Sequence, residues 1–180
     1  TFAAELLMPY QQWLSAVPNE EPSLELIQHM ADLFGTSFPA AASRFASLSD
    51  APCAFVTMER GAVRYAARST VLRQAGAWIS PRSVIPVGSV AHRIRSSGNS
   101  ATETGEVSQD VWFDNWEMGL DLWELSRHYA LTDTTISLLW FDSDDLPEVE
   151  VSRFGKRIQD DGGLAELTGE LPWPGRSKRR

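Results

Sequence analysis

The sequence lacks the features that stabilise secreted scaffolds and those that span membranes. Cys53 is its only cysteine, so no intramolecular disulfide can form. The longest apolar runs, such as residues 136–141, are far shorter than the ~20 residues that a membrane-spanning helix needs. We therefore expect a cytoplasmic protein with no membrane partner, and a chain of 180 residues is long enough to bury a core of its own.

Basic residues are also scarce. The chain has 16 Lys and Arg against 24 Asp and Glu, a formal net charge of −8, and four of the basic residues lie within the last five positions. Phosphate contacts supply most of the affinity of proteins for nucleic acids. A body of this charge is therefore not expected to bind nucleic acid or an anionic membrane.

Recognisable catalytic and metal-binding motifs are missing too. His29, His92 and His128 do not form the i, i+4 pair with an intervening Glu that a helical zinc-peptidase motif requires, and we predict each to be a surface or rim residue. Cys53 has no basic neighbour in sequence, which favours a buried structural thiol over a nucleophile. No catalytic residue, metal ligand or cofactor is therefore assigned to this chain.

The chain does contain two amphipathic helices near its start. Residues 2–9 are typical of the end of a helix, and residues 10–17 of a second short helical piece. Apolar residues then recur at three- and four-residue spacing on both sides of Gly35, after the predicted N-caps Ser23 and Ser37. This pattern predicts a helix-turn-helix-like pair over residues 23–48.

The periodicity changes after residue 50, where short runs of β-branched and aromatic residues alternate with turns. Strands are predicted over residues 53–58, 62–67, 106–113, 122–130 and 134–141, with extended pieces at 78–79 and 83–87, and helices over 90–96 and 148–160. Gly61 is expected to form a tight hairpin between the first two strands. The fold class predicted is α+β: a helical segment (1–50), an antiparallel sheet domain with flanking helices (51–165), and a poorly ordered tail (166–180).

The run Phe-Ala-Ala-Glu-Leu-Leu-Met-Pro at residues 2–9 resembles, nearly letter for letter, a stretch typical of the ImmA/IrrE family of zinc metallopeptidases. In that family a His-Glu-x-x-His helix comes first, and a helix carrying the third zinc ligand, a Glu, ends in this stretch. A following family helix pair is similar to residues 33–37, 41–42 and 44–45. Residues 86–89, 111–113 and 137–141 look like the C-terminal region of longer members, which in radiation-response members folds like a GAF sensor domain.

The resemblance implies that this chain is the regulatory or sensory C-terminal region of such a peptidase, with a GAF-like sheet domain and no catalytic site. The zinc and its ligands would lie upstream of Thr1, so no catalytic residue is carried over. The family's usual substrate is a repressor-type transcription regulator. The expected partners are therefore a protein of that kind or a small-molecule effector.

Four residues are predicted ligand contacts, because aromatic and acidic groups on neighbouring strands can converge: Tyr65, Trp112, Glu124 and Trp140. An alternative hypothesis is a ligand-responsive transcription regulator that binds DNA through residues 23–48. Residues 1–50 carry six acidic residues and a single base, Arg44, which favours packing of the helix pair over DNA recognition. A protein-interaction module without a ligand is a third possibility.

Overall fold

The computed structural model of the protein describes residues 2–17, 22–113 and 121–141. The described helices are α1 (Phe2–Leu7), α2 (Tyr10–Ala16), α3 (Leu24–Leu33), α4 (Phe38–Leu48), α5 (Thr70–Gln74) and α6 (Val90–Ser96). The described strands are β1 (Cys53–Glu59), β2 (Ala62–Arg68), β3 (Ala101–Ser108), β4 (Asp121–Tyr129) and β5 (Thr134–Trp140). The α+β class is confirmed. None of the described helices combines the length and the hydropathy needed to cross a bilayer.

The α3–α4 pair forms where local sequence signals predict it. The Ser23 hydroxyl accepts a hydrogen bond from the backbone N–H of Leu26 and so satisfies one of the free donors in the first turn of α3. Gly35 follows the end of α3 and has a φ of +59°. This left-handed conformation is typical of the residue after a helix, and glycine adopts it without strain. Ser37 then begins α4, with Pro39 in its first turn.

The five strands form one antiparallel sheet in the order β2-β1-β5-β4-β3. Strand β5, predicted over residues 134–141, lies at its centre between β1 and β4, and Leu138 and Leu139 are fully buried. Side chains alternate between the two faces of a strand. Leu138 consequently packs on one side of the sheet and Leu139 on the other.

Each face of the sheet is covered by its own core. The helical-face core joins α1–α4 to the sheet and includes Met8, Trp13, Ile27, Met30, Phe45, Phe55 and Leu138. The α6-face core joins the other face to α5, α6 and the loops, and includes Val56, Leu72, Ile94, Trp112, Phe113 and Leu139. Both cores include long apolar side chains that are nearly inaccessible to solvent, so packing on both faces stabilises the sheet.

Several predicted boundaries differ from the structure. The strand predicted over 106–113 occupies 101–108, and a 3₁₀ turn follows at Gln109–Val111. Residues 101–106 are mostly exposed on an edge strand, so they lack an apolar signal, and pairing with β4 defines them instead. Of the segment 83–87, Val84 alone makes a β-bridge, to Ala62. The helix predicted over 148–160 and the tail over 166–180 lie outside the described residues.

Candidate functional site

The structure brings two of the four predicted ligand contacts together in the α6-face core. The indole Nε1–H of Trp112 donates to Oε2 of Glu124 at 2.8 Å, and both side chains are buried. Tyr65 and Trp140 lie elsewhere. The Tyr65 ring is about half exposed, its hydroxyl is 2.8 Å from the Ser43 hydroxyl of α4, and Trp140 packs against the helical-face core.

Glu124 accepts four hydrogen bonds although its side chain is inaccessible to solvent. Its Oε2 accepts from the backbone N–H of Val90 at 2.9 Å as well as from Trp112. Its Oε1 accepts from the backbone N–H of Ala91 at 2.7 Å and from the Ser126 hydroxyl at 2.7 Å. Every partner is a donor, so the carboxyl group acts as an acceptor only, as a carboxylate does.

The strand geometry explains this position. Alternate residues of β4 face the α6-face core, which directs Glu124, Ser126 and His128 inward together. The first amides of α6 have no partner within their own helix. Glu124 satisfies two of them, and Ser89, the N-cap residue, accepts from the N–H of His92 at 3.0 Å.

The polar row continues across the sheet. The hydroxyls of Ser126 and Ser137 are 2.6 Å apart, and Nδ1 of His128 lies 2.9 Å from the Thr135 hydroxyl. His128 is 3% exposed, so its prediction as a surface or rim residue is wrong. In a sequence, polar residues at alternate positions of a strand indicate a solvent-exposed face. The hydrogen-bond partners that allow those of β4 to be buried are distant in the chain, so the sequence does not identify them. With two donors on each oxygen of Glu124, this row holds α6 and Trp112 on the sheet.

A second contact lies where α1 meets α4. Nη2 of Arg44 donates to Oε2 of Glu5 and, at 2.8 Å, to the backbone oxygen of Met8. The Arg44 side chain is 10% exposed, and Met8 is buried in the helical-face core. Hydrogen bonds from the backbone N–H of Tyr10 and from Arg44 hold the pKa of the Glu5 carboxyl below its ordinary value. A DNA phosphate would have to displace these partners to reach Arg44.

Arg44 and Tyr65 also border one cleft of about 390 Å³ between α1, α4 and β2. Its wall includes Leu7 and Met8 from the opening run and Ser43 from α4. The residues predicted for ligand contact on β2 and for DNA contact on α4 are therefore neighbours. We call the contact of Arg44 with Glu5 and Met8, together with this cleft, the α1–α4 junction.

The metal and nucleophile candidates are few in the described ranges. No group of three His, Cys, Asp or Glu side chains in these ranges could hold a metal ion. Cys53 is buried as predicted, and burial raises the pKa of its thiol to about 11. At neutral pH it is therefore a protonated, poorly nucleophilic group.

In comparisons with known proteins, no family model matches the chain, and no curated protein matches it.

Proposed function

We propose that this chain is the regulatory region of an ImmA/IrrE-like zinc metallopeptidase, with a GAF-like sheet domain that modulates the peptidase. The opening run at residues 2–9 supports the family. The five-stranded antiparallel sheet with helices on both faces supports the GAF-like part. The helix-turn-helix-like pair over residues 23–48 serves as a packing element in this proposal.

The α1–α4 junction is the observation that carries the proposal. In the family, the residues corresponding to α1 end the helix with the third zinc ligand, and here Arg44 joins that segment to α4. Helix α4 in turn packs on the sheet, where the rings of Phe38 and Phe55 meet edge to face at 6.0 Å between centroids. A continuous chain of packed side chains thus links the sheet to α1.

The regulatory input is a repressor-type protein or a small-molecule effector bound by this chain. Zinc would be held upstream of Thr1 and would supply the activated water for peptide hydrolysis. The residues of this chain supply binding and positioning. An input that changes the packing of α4 on the sheet would alter α1 through the α1–α4 junction.

The test uses the native gene product together with any residues encoded in frame upstream of Thr1. Its zinc content and its cleavage of a repressor-type protein are measured for the natural sequence, for Arg44→Met and for the control Arg73→Met. Arg73 is exposed on α5 and bonds to Thr70 within its own helix.

We expect one zinc per chain, and a cleavage rate that Arg44→Met changes by about fivefold or more, the usual size of allosteric coupling. The control should keep the natural rate. A native product that binds no zinc and cleaves nothing would contradict the proposal. An Arg44→Met rate equal to that of the natural protein would contradict the proposal that this chain regulates the peptidase through the α1–α4 junction.

A further inference from the structure

An open cleft of about 560 Å³ lies at the end of the sheet where two turns meet. The backbone N–H of Arg60, in the β1–β2 turn, donates to the oxygen of Asp133, in the β4–β5 turn, at 2.9 Å. The loop before α6 closes one side, because the N–H of Arg82 donates to the oxygen of Val63 at 2.9 Å. Three separate segments of the chain, the β1–β2 hairpin, the loop before α6 and the β4–β5 turn, thereby build one cleft.

The cleft is basic although the chain is acidic. Arg60, Arg64 and Arg82 line it, and Glu59 is the one acidic residue among its described lining residues. Nε of Arg64 lies 4.0 Å from Oε2 of Glu59, and both side chains are largely exposed, so their ion pair is weak. The cleft thus carries two net positive charges in a chain of net charge −8.

Two of these guanidinium groups are available to a ligand. Both the Arg60 and the Arg82 side chains are exposed, and among the described residues neither takes part in an ion pair or a side-chain hydrogen bond. The Asp133 carboxylate lies within electrostatic range of Arg60. Both of its oxygens, however, are already bound at 2.8 Å by Nε and Nη2 of Arg95.

The backbone is strained at the same place. Arg60 (φ +52°), Arg82 (φ +67°) and Asp133 (φ +46°) are the described non-glycine residues with positive φ. The left-handed conformation is unfavourable for side chains of this size, and such residues cluster at ligand-binding sites. Glycine would adopt the same conformation at no steric cost. The two arginines therefore place guanidinium groups in the cleft at an energetic cost.

We propose that this cleft binds a small polyanion that carries two or more phosphate or carboxylate groups. A guanidinium group matches both groups with paired, charge-assisted hydrogen bonds, and Thr132 and Thr134 border the same space. A cavity of this size is ordinary for small molecules. Because the rest of the chain is acidic, a long polyanion would meet repulsion beyond the cleft. The site lies wholly within this chain and does not depend on a peptidase.

The test is isothermal titration calorimetry of the 180-residue chain with inorganic pyrophosphate and, separately, with citrate, at about 50 mM salt, where charged contacts are not yet strongly screened. Tighter binding of pyrophosphate would identify a phosphate ligand, and tighter binding of citrate a carboxylate ligand. Arg60→Gln and Arg82→Gln remove the charge and leave a side chain that is equally disfavoured at positive φ. Arg64→Gln provides a variant on β2 without a positive φ, and Arg73→Gln on α5 is the matched control.

We expect Arg60→Gln and Arg82→Gln each to weaken binding roughly tenfold or more, the loss expected for one charge-assisted hydrogen bond. Arg64→Gln should weaken it less, and Arg73→Gln should leave it unchanged. No heat from either anion at about 1 mM, a typical upper limit for specific ligands, would overturn the proposal. Equal losses for Arg73→Gln and the cleft variants would show a general charge effect and overturn it as well. Binding of a DNA duplex but of neither small anion would assign these arginines to a macromolecule and equally overturn the proposal.

Discussion

The two faces of the sheet are covered in chemically different ways. On the helical face, the described residues form a cluster of apolar side chains such as Phe45 and Leu138. On the α6 face, buried apolar side chains surround five buried polar residues of β4 and β5: Glu124, Ser126, His128, Thr135 and Ser137. Apolar packing tolerates small shifts, whereas hydrogen bonds define direction. The comparison indicates that α3 and α4 are held on the sheet by apolar packing, whereas α6 is held by the carboxylate of Glu124.

The largest effect is expected from Glu124→Gln. An amide nitrogen cannot accept the hydrogen bonds that one carboxylate oxygen now receives, so at least one buried backbone N–H, that of Val90 or of Ala91, loses its partner. We expect the free energy of unfolding to fall by about 3–5 kcal/mol, because hydrogen bonds to a charged acceptor, each worth roughly 1.5–3 kcal/mol, are lost or weakened. Urea unfolding of this variant is compared with that of Glu106→Gln, which removes an exposed carboxylate from β3. A loss below about 1 kcal/mol would mean that apolar packing alone holds α6.

A somewhat smaller effect is expected on the opposite face from Leu138→Ala. Leu138 is fully buried in the helical-face core, so the change removes apolar contact and leaves a cavity. The expected loss in the free energy of unfolding is about 3 kcal/mol, measured by the same method. Leu131→Ala is the control, because Leu131 is 99% exposed. Equal stability of these two variants would show that the helical face is not a packed core.

Arg44→Met tests the polar contact that joins α4 to α1 on the helical face of the sheet. Methionine keeps the apolar stem and loses the donors to Glu5 and Met8. Glu5 is about half exposed, so we expect a modest loss of about 1–2 kcal/mol. Hydrogen exchange should become faster for the amides of α1 and remain unchanged for those of β4. Unchanged hydrogen exchange in α1 would show that the Arg44 contact does not stabilise this helix.

The smallest effect is a pH dependence of stability from the ion pair between Arg95 and Asp133, in the β4–β5 turn beside the basic cleft. The hydrogen bonds from Arg95 hold the pKa of the Asp133 carboxyl below its ordinary value. A lowered folded-state pKa stabilises the fold above the unfolded-state pKa, near 4, and this contribution is lost as the pH falls through the folded-state value. The melting temperature of the natural protein relative to Asp133→Asn should therefore decrease as the pH falls below about 4. A constant difference across this range would contradict the assigned ion pair.

The parts of the fold that depend on neighbours in sequence could be predicted. Ser23, Gly35 and the apolar spacing between them define α3 locally, and Gly61 (φ +80°) defines the β1–β2 turn. A second reason for glycine at position 61 is apparent only in the structure: a Cβ there would lie 3.0 Å from the Arg95 guanidinium carbon. The range predicted for β3 was wrong, because its mostly polar residues do not alternate with apolar ones as in a half-buried strand.

The candidate sites depend on partners that are distant in sequence. Glu124 and Trp112 were both predicted as ligand contacts, but the role of Glu124 depends on Val90 and Ala91, more than thirty positions away. Arg44 meets Glu5 across 39 positions. The basic cleft lined by Arg60, Arg64 and Arg82 joins three segments, none of which shows an unusual charge on its own. Residue types could be read from the sequence, but their convergence required the topology.

The most direct test of the proposed function is the coding sequence immediately upstream of Thr1, read together with the intact mass of the native product. We predict an in-frame His-Glu-x-x-His segment followed by a Glu before Phe2, and a product heavier than the 20.0 kDa of this chain. A native product that begins near Thr1 would contradict it. Anion binding at the basic cleft lined by Arg60, Arg64 and Arg82 would then remain as a separate, independently testable activity.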